Sequence, residues 1–321
     1  MTKGQLVYFP DTEPGIGRRR RGKGFSYVDP QGAIITDKAE RQRLASLAVP
    51  PAYEAVWMCP TPLGHLQATG RDVKGRKQYL YHPDWTAQQA QAKYDALPDF
   101  GRALPRLRRH VQDDLNEEAG EREFALAAAV TLIDRTALRV GNPQYTDENG
   151  SYGALTLRNR HIQMTGNRIN LQYRAKGGQR VRRRLSDAKL ARVLGKINDL
   201  PGATLLSWID DDGTAQMLNS EALNAYIADA AGTEDVTAKT FRTWAGSCAA
   251  YEVASQGGAT IKDIATAAST VLHNTPTIAR NSYIHPAIID LAGKDMIDVQ
   301  PATLTGLRVS EQRLLGFLDT Q

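Results

Sequence analysis

The sequence changes character near Thr86, and this change constrains the fold more than any other feature. Before Thr86, short stretches of β-favouring residues alternate with Gly and Pro, which is typical of strands joined by turns. These stretches are GKGFSYVD, GAIIT, AVWMCP, GHLQATGRD and RKQYLYHPDW, and a short helix is predicted over Asp37–Leu47. After Thr86 helical patterns dominate. The sequence therefore predicts an α+β protein, with a small β-rich domain over residues 1–85 and a larger, mainly helical domain over residues 86–321.

The second region combines helix patterns with one small antiparallel sheet. We expect helices that are broken at Pro98 and Pro105. A long apolar helix is predicted over residues 121–140 and ends at Gly141, because glycine commonly follows the last turn of a helix. A hairpin with AKGG at its turn comes next, and another helix is predicted over Thr237–Ser255.

Composition limits the class of protein. Hydrophobic residues make up 41% of the 321 residues and charged residues 23%, which is ordinary for a globular chain. No apolar run approaches the ~20 residues of a membrane span, and the N-terminus lacks the apolar core of a signal peptide. We expect a soluble, cytoplasmic protein. Cys59 and Cys248 lie far apart without histidine at ligand spacing, so neither a disulfide framework nor a zinc site is expected.

Basic residues are more informative by their distribution than by their number, since 40 Lys and Arg face 35 Asp and Glu. They form clusters at Arg18–Arg21, at Lys74, Arg76 and Lys77, at Arg106, Arg108 and Arg109, and at Arg180 and Arg182–Arg184. Such clusters indicate either a polyanionic partner, with phosphate the obvious candidate, or ordinary solvated faces.

Two tyrosines accompany one of these clusters. Tyr79 and Tyr81 lie two residues apart, so on a strand both side chains point to one face, next to Arg76 and Lys77. This mixture of cations and aromatic rings is expected where a small β-domain contacts DNA. A core hairpin would show the same pattern.

One stretch, VLHNTPTIARNSY, places a tyrosine among small and polar residues. Pro276 breaks the chain near its start, Thr277 is a candidate N-cap, and a helix follows. Arg280 lies on the same side of that helix as Tyr283, and Asn274 lies just before the proline. A surface helix that packs a tyrosine ring and hydrates its hydroxyl would look similar.

Three further cations precede Tyr283 on separate elements: Arg139, Lys176 and Arg242. A phenol has an ordinary pKa of ~10, so attack on a phosphodiester needs a cationic pocket. Arginines suit the charge that develops on phosphate oxygens, because they are always protonated and donate paired hydrogen bonds. A lysine at a hairpin tip can protonate the departing oxygen. Each arginine taken alone fits a salt bridge equally well.

The order Arg, Lys, Arg, Asn, Tyr resembles the DNA topoisomerases IB of the short bacterial and poxvirus type. The motifs that carry this resemblance are GRRRRGKGFSY, GHLQATGRDVKGRKQYLYHP, LRVGNPQY, YGALTLRNRHI, KTFRTW and HNTPTIARNSY. The resemblance implies a β-rich domain and a helical catalytic domain that together clamp duplex DNA.

Site residues follow from the same resemblance. Arg139 and Arg242 are expected to bind phosphate, Lys176 to act as general acid, and Tyr283 to form a 3′-phosphotyrosyl link. Asn274 stands where many relatives have histidine; it keeps a hydrogen-bond donor but is neutral at every pH. The expected DNA contacts are Tyr79, Tyr81, Lys77, Arg76, Tyr145 and Lys239.

The implied activity is relaxation of supercoiled duplex DNA by a monomer, without ATP, an essential metal or another cofactor, in the cytoplasm at the nucleoid. A tyrosine recombinase would share the catalytic residues but assemble as a tetramer, and the KTFR motif and the N-terminal domain argue against it. A non-catalytic basic DNA-binding module is the alternative from another class; it would never form a covalent adduct.

Overall fold

The computed structural model of the protein describes residues 5–22, 24–198, 202 and 204–321, without the side chains of residues 144 and 145. The chain forms two compact units, residues 1–93 and residues 94–321. The division falls within a helix over Pro83–Asp95, and the predicted boundary between residues 85 and 86 lies in the same helix.

Unit 1 contains an antiparallel sheet, a short helix and most of the helix over Pro83–Asp95. Its elements before that helix are β1 Ile16–Arg21, β2 Gly24–Val28, α1 Lys38–Ser46, β3 Glu54–Met58, β4 Leu66–Arg71 and β5 Lys77–Tyr81. The sheet order is β2-β1-β3-β4-β5, so strands β2 and β5 are its edges. A small apolar core contains Ile16 and Met58 of the sheet and Leu44 of α1.

Two sequence predictions differ from the structure of unit 1. The GAIIT stretch is not a strand, because only Ile34 pairs, in an isolated bridge with Val28. Strand β1 was not predicted, since its four consecutive arginines hide the alternation of a half-buried strand. Within it, Arg18 turns inward and donates hydrogen bonds to backbone carbonyls, including that of Val49 at 2.6 Å. A charged side chain that is bonded in this way can occupy a partly buried strand position.

Unit 2 contains helices, a three-stranded antiparallel sheet and a two-stranded antiparallel sheet. Helix α2, Pro83–Asp95, leads into it. The other helices are α3 Leu97–Asp114, α4 Arg122–Thr136, α5 Pro143–Asn149, α6 Ala188–Asn198, α7 Ser220–Ala231, α8 Ala238–Ala254, α9 Ile261–Leu272, α10 Pro276–Tyr283, α11 Pro286–Ile289 and α12 Val309–Leu318. The strands are β6 Ile162–Thr165, β7 Arg168–Arg174, β8 Arg180–Ser186, β9 Ser207–Ile209 and β10 Ala215–Met217. The α+β prediction is confirmed, as is the hairpin that β7 and β8 form.

Helix α4 lies at the centre of unit 2. Its sequence is apolar on nearly every face, and Phe124, Leu132 and Ile133 are fully buried. A helix that is apolar all round requires neighbours on all sides. Helices α3, α6, α7 and α8 supply these contacts. Among the described residues, no helix is both long and apolar enough to cross a membrane.

Two helix ends in unit 2 differ from the sequence predictions. Pro105 lies inside α3 without ending it, whereas Pro98 occupies the first turn, where its missing N–H leaves no bond unmade. Burial of Leu104 and Leu107 beside Pro105 favours the continued helix. Helix α4 ends at Thr136 rather than at Gly141, and Ala137 adopts a left-handed conformation there.

Candidate active site

Tyr283 is the last residue of α10. Thr275 caps this helix, because its hydroxyl accepts a hydrogen bond from the Ile278 amide at 3.2 Å, and Pro276 is the first helical residue. The prediction of Thr277 as the cap was wrong, since proline suits the first helical position and moves the cap to the preceding residue. Helix α10 packs against α8 and α9, and the partly exposed Tyr283 lies at its C-terminal end.

Arg242 on α8 is the structural centre of the site. Its side chain is buried, with 4% of the residue exposed, and its guanidinium carbon lies 5.0 Å from the centroid of the Tyr283 ring. It donates hydrogen bonds to the carbonyls of Ala137 and Leu272. Burial lowers the pKa of Arg242 below its usual value, and the positive charge of Arg139 lowers it further. The site therefore holds a desolvated cation, which an incoming anion would stabilise.

Arg139 lies in a segment without regular secondary structure, not at the end of a helix as predicted. The left-handed turn at Ala137 ends α4, and Arg139 follows two residues later. The Arg139 carbonyl accepts a hydrogen bond from Ala154 at 2.8 Å, which fixes the backbone of the segment. A Cβ on Gly153 would lie only 2.5 Å from that carbonyl oxygen, so the close approach requires glycine.

Asn274 lies in the short connection between α9 and α10. Its side-chain nitrogen and oxygen are both buried, and neither has a hydrogen-bond partner within the described parts of the chain. Buried polar groups are nearly always bonded, so an unbonded amide indicates a group that a ligand would complete. His273 precedes it and is the left-handed C-cap of α9.

Lys176 lies at the exposed tip of the β7–β8 hairpin, as predicted. Gly177 and Gly178 both have positive φ angles, of 78° and 75°, which a tip this tight requires. The structure brings Arg242 and Tyr283 into contact, with Arg139 and Asn274 on the adjoining turns. Within the described residues it shows no contact between Lys176 and any of them.

Two family models match successive parts of the chain. The model for the catalytic core of eukaryotic DNA topoisomerase I matches residues 75–278, and the model for the N-terminal domain of bacterial DNA topoisomerase IB matches residues 24–72. The chain belongs to the type IB DNA topoisomerases. The resemblance drawn from the sequence motifs is confirmed, and the protein is an isomerase of DNA topology. The catalytic-core match includes Arg139, Lys176, Arg242 and Asn274, and it ends before Tyr283.

Curated relatives have the same character. The chain is 30% identical over 236 residues to DNA topoisomerase 1B of Acanthamoeba polyphaga mimivirus. This alignment covers 72% of this chain and 69% of the viral protein. The chain is also 24% identical over 268 residues to DNA topoisomerase 1B of Vaccinia virus (strain Copenhagen), and this alignment covers 78% of this chain and 80% of the viral protein. Among solved structures, XerH site-specific recombinase in a post-cleavage complex with palindromic difH substrate matches at 14% identity. That match has a TM-score of 0.33 and covers 60% of this chain and 48% of the recombinase chain, too low a likeness to support an argument.

The predicted DNA contacts in unit 1 lie on and beside edge strand β5. The rings of Tyr79 and Tyr81 are exposed and stack with centroids 6.1 Å apart, so they do share one face. Lys77 lies 5.3 Å from the Tyr79 centroid but also pairs with Asp11 at 2.6 Å. This pairing raises the pKa of Lys77 and lowers that of Asp11.

The other predicted contacts are less defined. Arg76 forms an ion pair with Asp72 at 2.7 Å. Lys239 is exposed in the first turn of α8, three residues before Arg242. The side chain of Tyr145 lies outside the described part of the structure.

The sequence analysis did not identify Gly246 and Ser247, two residues that fix the backbone position of Tyr283. A Cβ on Gly246 would lie 2.7 Å from the Tyr283 carbonyl oxygen, so only glycine allows α8 and α10 to approach this closely. The buried Ser247 hydroxyl accepts a hydrogen bond from the His285 amide at 3.0 Å and donates one to the Tyr283 carbonyl at 3.4 Å. A Gly-Ser pair inside a helix, four residues after KTFR, was the available signal.

Tyr173 and Arg183 were also missed. Tyr173 is buried on β7, and burial raises its pKa to about 12, although the positive charges of Arg242, Arg139 and Arg183 oppose that rise. Three arginines therefore lie close enough to one buried phenol to lower its pKa relative to burial alone. Among the described residues no group of three or more His, Cys, Asp and Glu side chains could hold a metal ion.

Proposed function

We propose that this topoisomerase relaxes supercoiled duplex DNA by cleaving one strand, allowing it to rotate, and resealing it. The Tyr283 phenol oxygen bonds to a backbone phosphorus and its proton passes to solvent, while the bond from phosphorus to the 5′ oxygen breaks. A 3′-phosphotyrosyl link and a 5′ hydroxyl result. Resealing reverses the exchange. Because each step replaces one phosphoester bond with another, the cycle requires no ATP.

One observation carries this proposal: the buried Arg242 guanidinium lies against the Tyr283 ring and has no carboxylate partner among the described residues. Attack on phosphorus adds negative charge to the non-bridging oxygens. Fixed cations aimed at developing charge are the strongest single source of catalysis in many enzymes. Arg242 and Arg139 would bind these oxygens, and the unbonded amide of Asn274 would donate a further hydrogen bond.

Lys176 would protonate the departing 5′ oxygen. Its exposed position at a tip of two left-handed glycines suits a group that reaches the substrate only when DNA is bound. An ammonium is a competent acid for an alkoxide, because the alkoxide is far the stronger base.

The remaining predictions are part of the same proposal. Duplex DNA would lie on the Tyr79 and Tyr81 surface, with Lys77, Arg76, Tyr145 and Lys239 as further contacts. The protein would act as a monomer, because one chain supplies the whole cationic site. A cytoplasmic location at the nucleoid is consistent with Cys59 and Cys248, because both thiols are free and buried.

Relaxation of a supercoiled plasmid in the presence of EDTA tests the proposal. The expected product is a ladder of relaxed topoisomers, and stopping the reaction with SDS should trap protein on nicked DNA. Inhibition by EDTA that Mg²⁺ reverses would contradict a mechanism in which arginines carry the charge. A plasmid that stays supercoiled, with no trapped protein, would indicate a module that only binds DNA.

A further inference from the structure

Two helices end beside the site in the same unusual way. Helix α4 ends at Ala137 and helix α9 at His273, and both residues have left-handed backbones, with φ angles of 50° and 48°. Residues other than glycine rarely adopt this conformation, and it persists only where surrounding contacts hold it. Each turn leads directly to a site residue, because Arg139 follows Ala137 by two positions and Asn274 follows His273 by one.

Two arginines connect these helix ends to each other. Arg242 donates to the carbonyls of Ala137 and Leu272. Arg183, on β8, donates from Nη1 to the Thr136 carbonyl at 2.5 Å and to the Val271 carbonyl at 3.2 Å. The pair of arginines therefore binds two successive carbonyls at the end of each helix. The C-terminal end of a helix carries partial negative charge and unbonded carbonyls, so a cation is favourable there.

Arg183 makes these bonds in place of an ion pair. Its side chain is partly buried, and its hydrogen bonds among the described residues go to backbone carbonyls rather than to a carboxylate. Burial lowers its pKa below the usual value, and only the nearby Tyr173 opposes this shift. A partly desolvated arginine without a carboxylate is unfavourable unless its hydrogen bonds to the two helix ends compensate.

The strand that carries Arg183 also belongs to the hairpin that carries Lys176. Its bonds therefore join three parts of the site: the hairpin of Lys176, the turn before Arg139 and the turn before Asn274. Arg242 also donates hydrogen bonds to carbonyls at both helix ends, but it contacts Tyr283 as well. Arg183 shows no contact with Tyr283 in the described structure.

We propose that Arg183 is a positioning residue for DNA cleavage, which fixes Arg139 and Asn274 by binding the ends of α4 and α9 together. This inference rests on the proposed roles of Arg139, Asn274 and Tyr283. It assigns Arg183 to the machinery that orders the site before DNA arrives, not to contact with the phosphate.

The test is single-turnover cleavage of a short duplex by the full chain at saturating protein, at a cleavage site first mapped on plasmid DNA. Arg183→Gln should slow cleavage by about 10²-fold without weakening binding, because small displacements of catalytic groups have effects of that size. Arg183→Lys should recover part of the loss, since an ammonium can donate to two carbonyls. Arg192→Gln, the same change at an exposed position on α6, is the control and should cleave like the wild type.

A double-mutant cycle separates positioning from general damage to the fold. Because Arg183 is proposed to act on both Arg139 and Asn274, Arg183→Gln should slow cleavage by a smaller factor in an Arg139→Ala background than in the wild type, where both residues are in place. Rates that multiply in the double variant would overturn the inference, as would wild-type cleavage by Arg183→Gln. So would an Arg183→Lys variant as slow as Arg183→Gln with an unchanged melting temperature. Failure of the wild type to cleave at all would instead refute the proposed function.

Discussion

Gly246 and Tyr283 touch through their backbones: a Cβ on Gly246 would lie 2.7 Å from the Tyr283 carbonyl oxygen and 3.3 Å from the Tyr283 Cβ. Gly246 lies within α8, four residues after Arg242. The same helix thus holds the arginine that covers the tyrosine ring and the glycine against which the tyrosine backbone packs. This contact fixes where α10 ends and therefore where the phenol points.

Gly246→Ala should slow cleavage by on the order of 10²-fold, because the added methyl group must displace Tyr283. The overpacked contact should also lower the free energy of unfolding by about 1–3 kcal/mol. Gly195→Ala is the matched control, since Gly195 lies in α6 with open space around it. That change should leave cleavage intact and stabilise the helix by about 0.5–1 kcal/mol. Equal cleavage by the two variants would show that the contact does not position the tyrosine.

Lys176 should matter for the leaving group alone. Lys176→Ala should slow cleavage of an ordinary duplex by roughly 10²–10⁴-fold, because the departing alkoxide then lacks a proton donor. A duplex with sulfur at the 5′ bridging position should restore the rate, since a thiolate leaves without a proton. Arg242→Ala should recover much less on the sulfur substrate. If Lys176→Ala has the same defect on oxygen and sulfur in single-turnover assays at saturating protein, Lys176 is not the acid.

Asn274 should act as a neutral donor. Asn274→Ala should slow cleavage by about 10²-fold, the usual effect of removing one fixed donor. Asn274→His should keep activity and add a pH dependence. The neighbouring His273 shows the direction, since burial lowers its pKa and the charges of Arg183, Arg242 and Arg139 lower it further.

A histidine at position 274 should therefore be neutral at pH 7 and gain charge only below its ordinary pKa of ~6.5. Its cleavage rate should rise as the pH falls through that range, because an imidazolium is the stronger donor to an oxyanion. The wild type, with an amide that does not titrate, should lack this rise. A folded Asn274→His variant that binds DNA but cannot cleave it would show that the shape of the amide is essential.

The sequence predicted local features of the site well and its tertiary features poorly. The α8 helix, with Thr237 at its start, and the Lys176 hairpin tip follow from capping residues and turn glycines. The end of α4 does not, because distant residues decide it: Arg183 and Arg242 bind the carbonyls of Thr136 and Ala137. A pattern read within one segment contains no information about such partners.

Arginine clusters show the same limit. Three of the basic clusters that predict possible phosphate contacts each contain an arginine that instead forms hydrogen bonds or ion pairs within the protein. Arg18 bonds backbone carbonyls in unit 1, Arg108 joins Asp134 and Glu311, and Arg183 bonds two helix ends. Neighbouring positions in a strand or helix face different environments, so adjacent arginines in one run serve different purposes.

Arg108 should contribute to stability and not to catalysis. It pairs with Asp134 at 2.8 Å and with Glu311, whose side chain is 3% exposed, at 2.7 Å. Arg108→Ala leaves Arg308, at 3.3 Å, as the remaining cation beside the buried Glu311 carboxylate. The change should therefore lower the free energy of unfolding by about 3 kcal/mol, the lower end of the cost of breaking a buried pair, measured in urea. Arg102→Ala breaks the exposed pairs with Asp99 and Asp319 and should lower it by less than about 1 kcal/mol. Similar losses for the two variants would contradict this assignment.

Covalent trapping is the direct test of Tyr283 as the nucleophile. The wild type and Tyr283→Phe are each incubated with labelled duplex DNA, and the reactions are stopped with SDS. Protein that carries the label is then detected by gel electrophoresis. Loss of one hydroxyl should leave binding nearly intact, because phosphate contacts dominate affinity. We expect a wild-type adduct at the 3′ phosphate, with Tyr283 as the modified residue, and no adduct for Tyr283→Phe. An adduct that persists in Tyr283→Phe would show that another residue is the nucleophile.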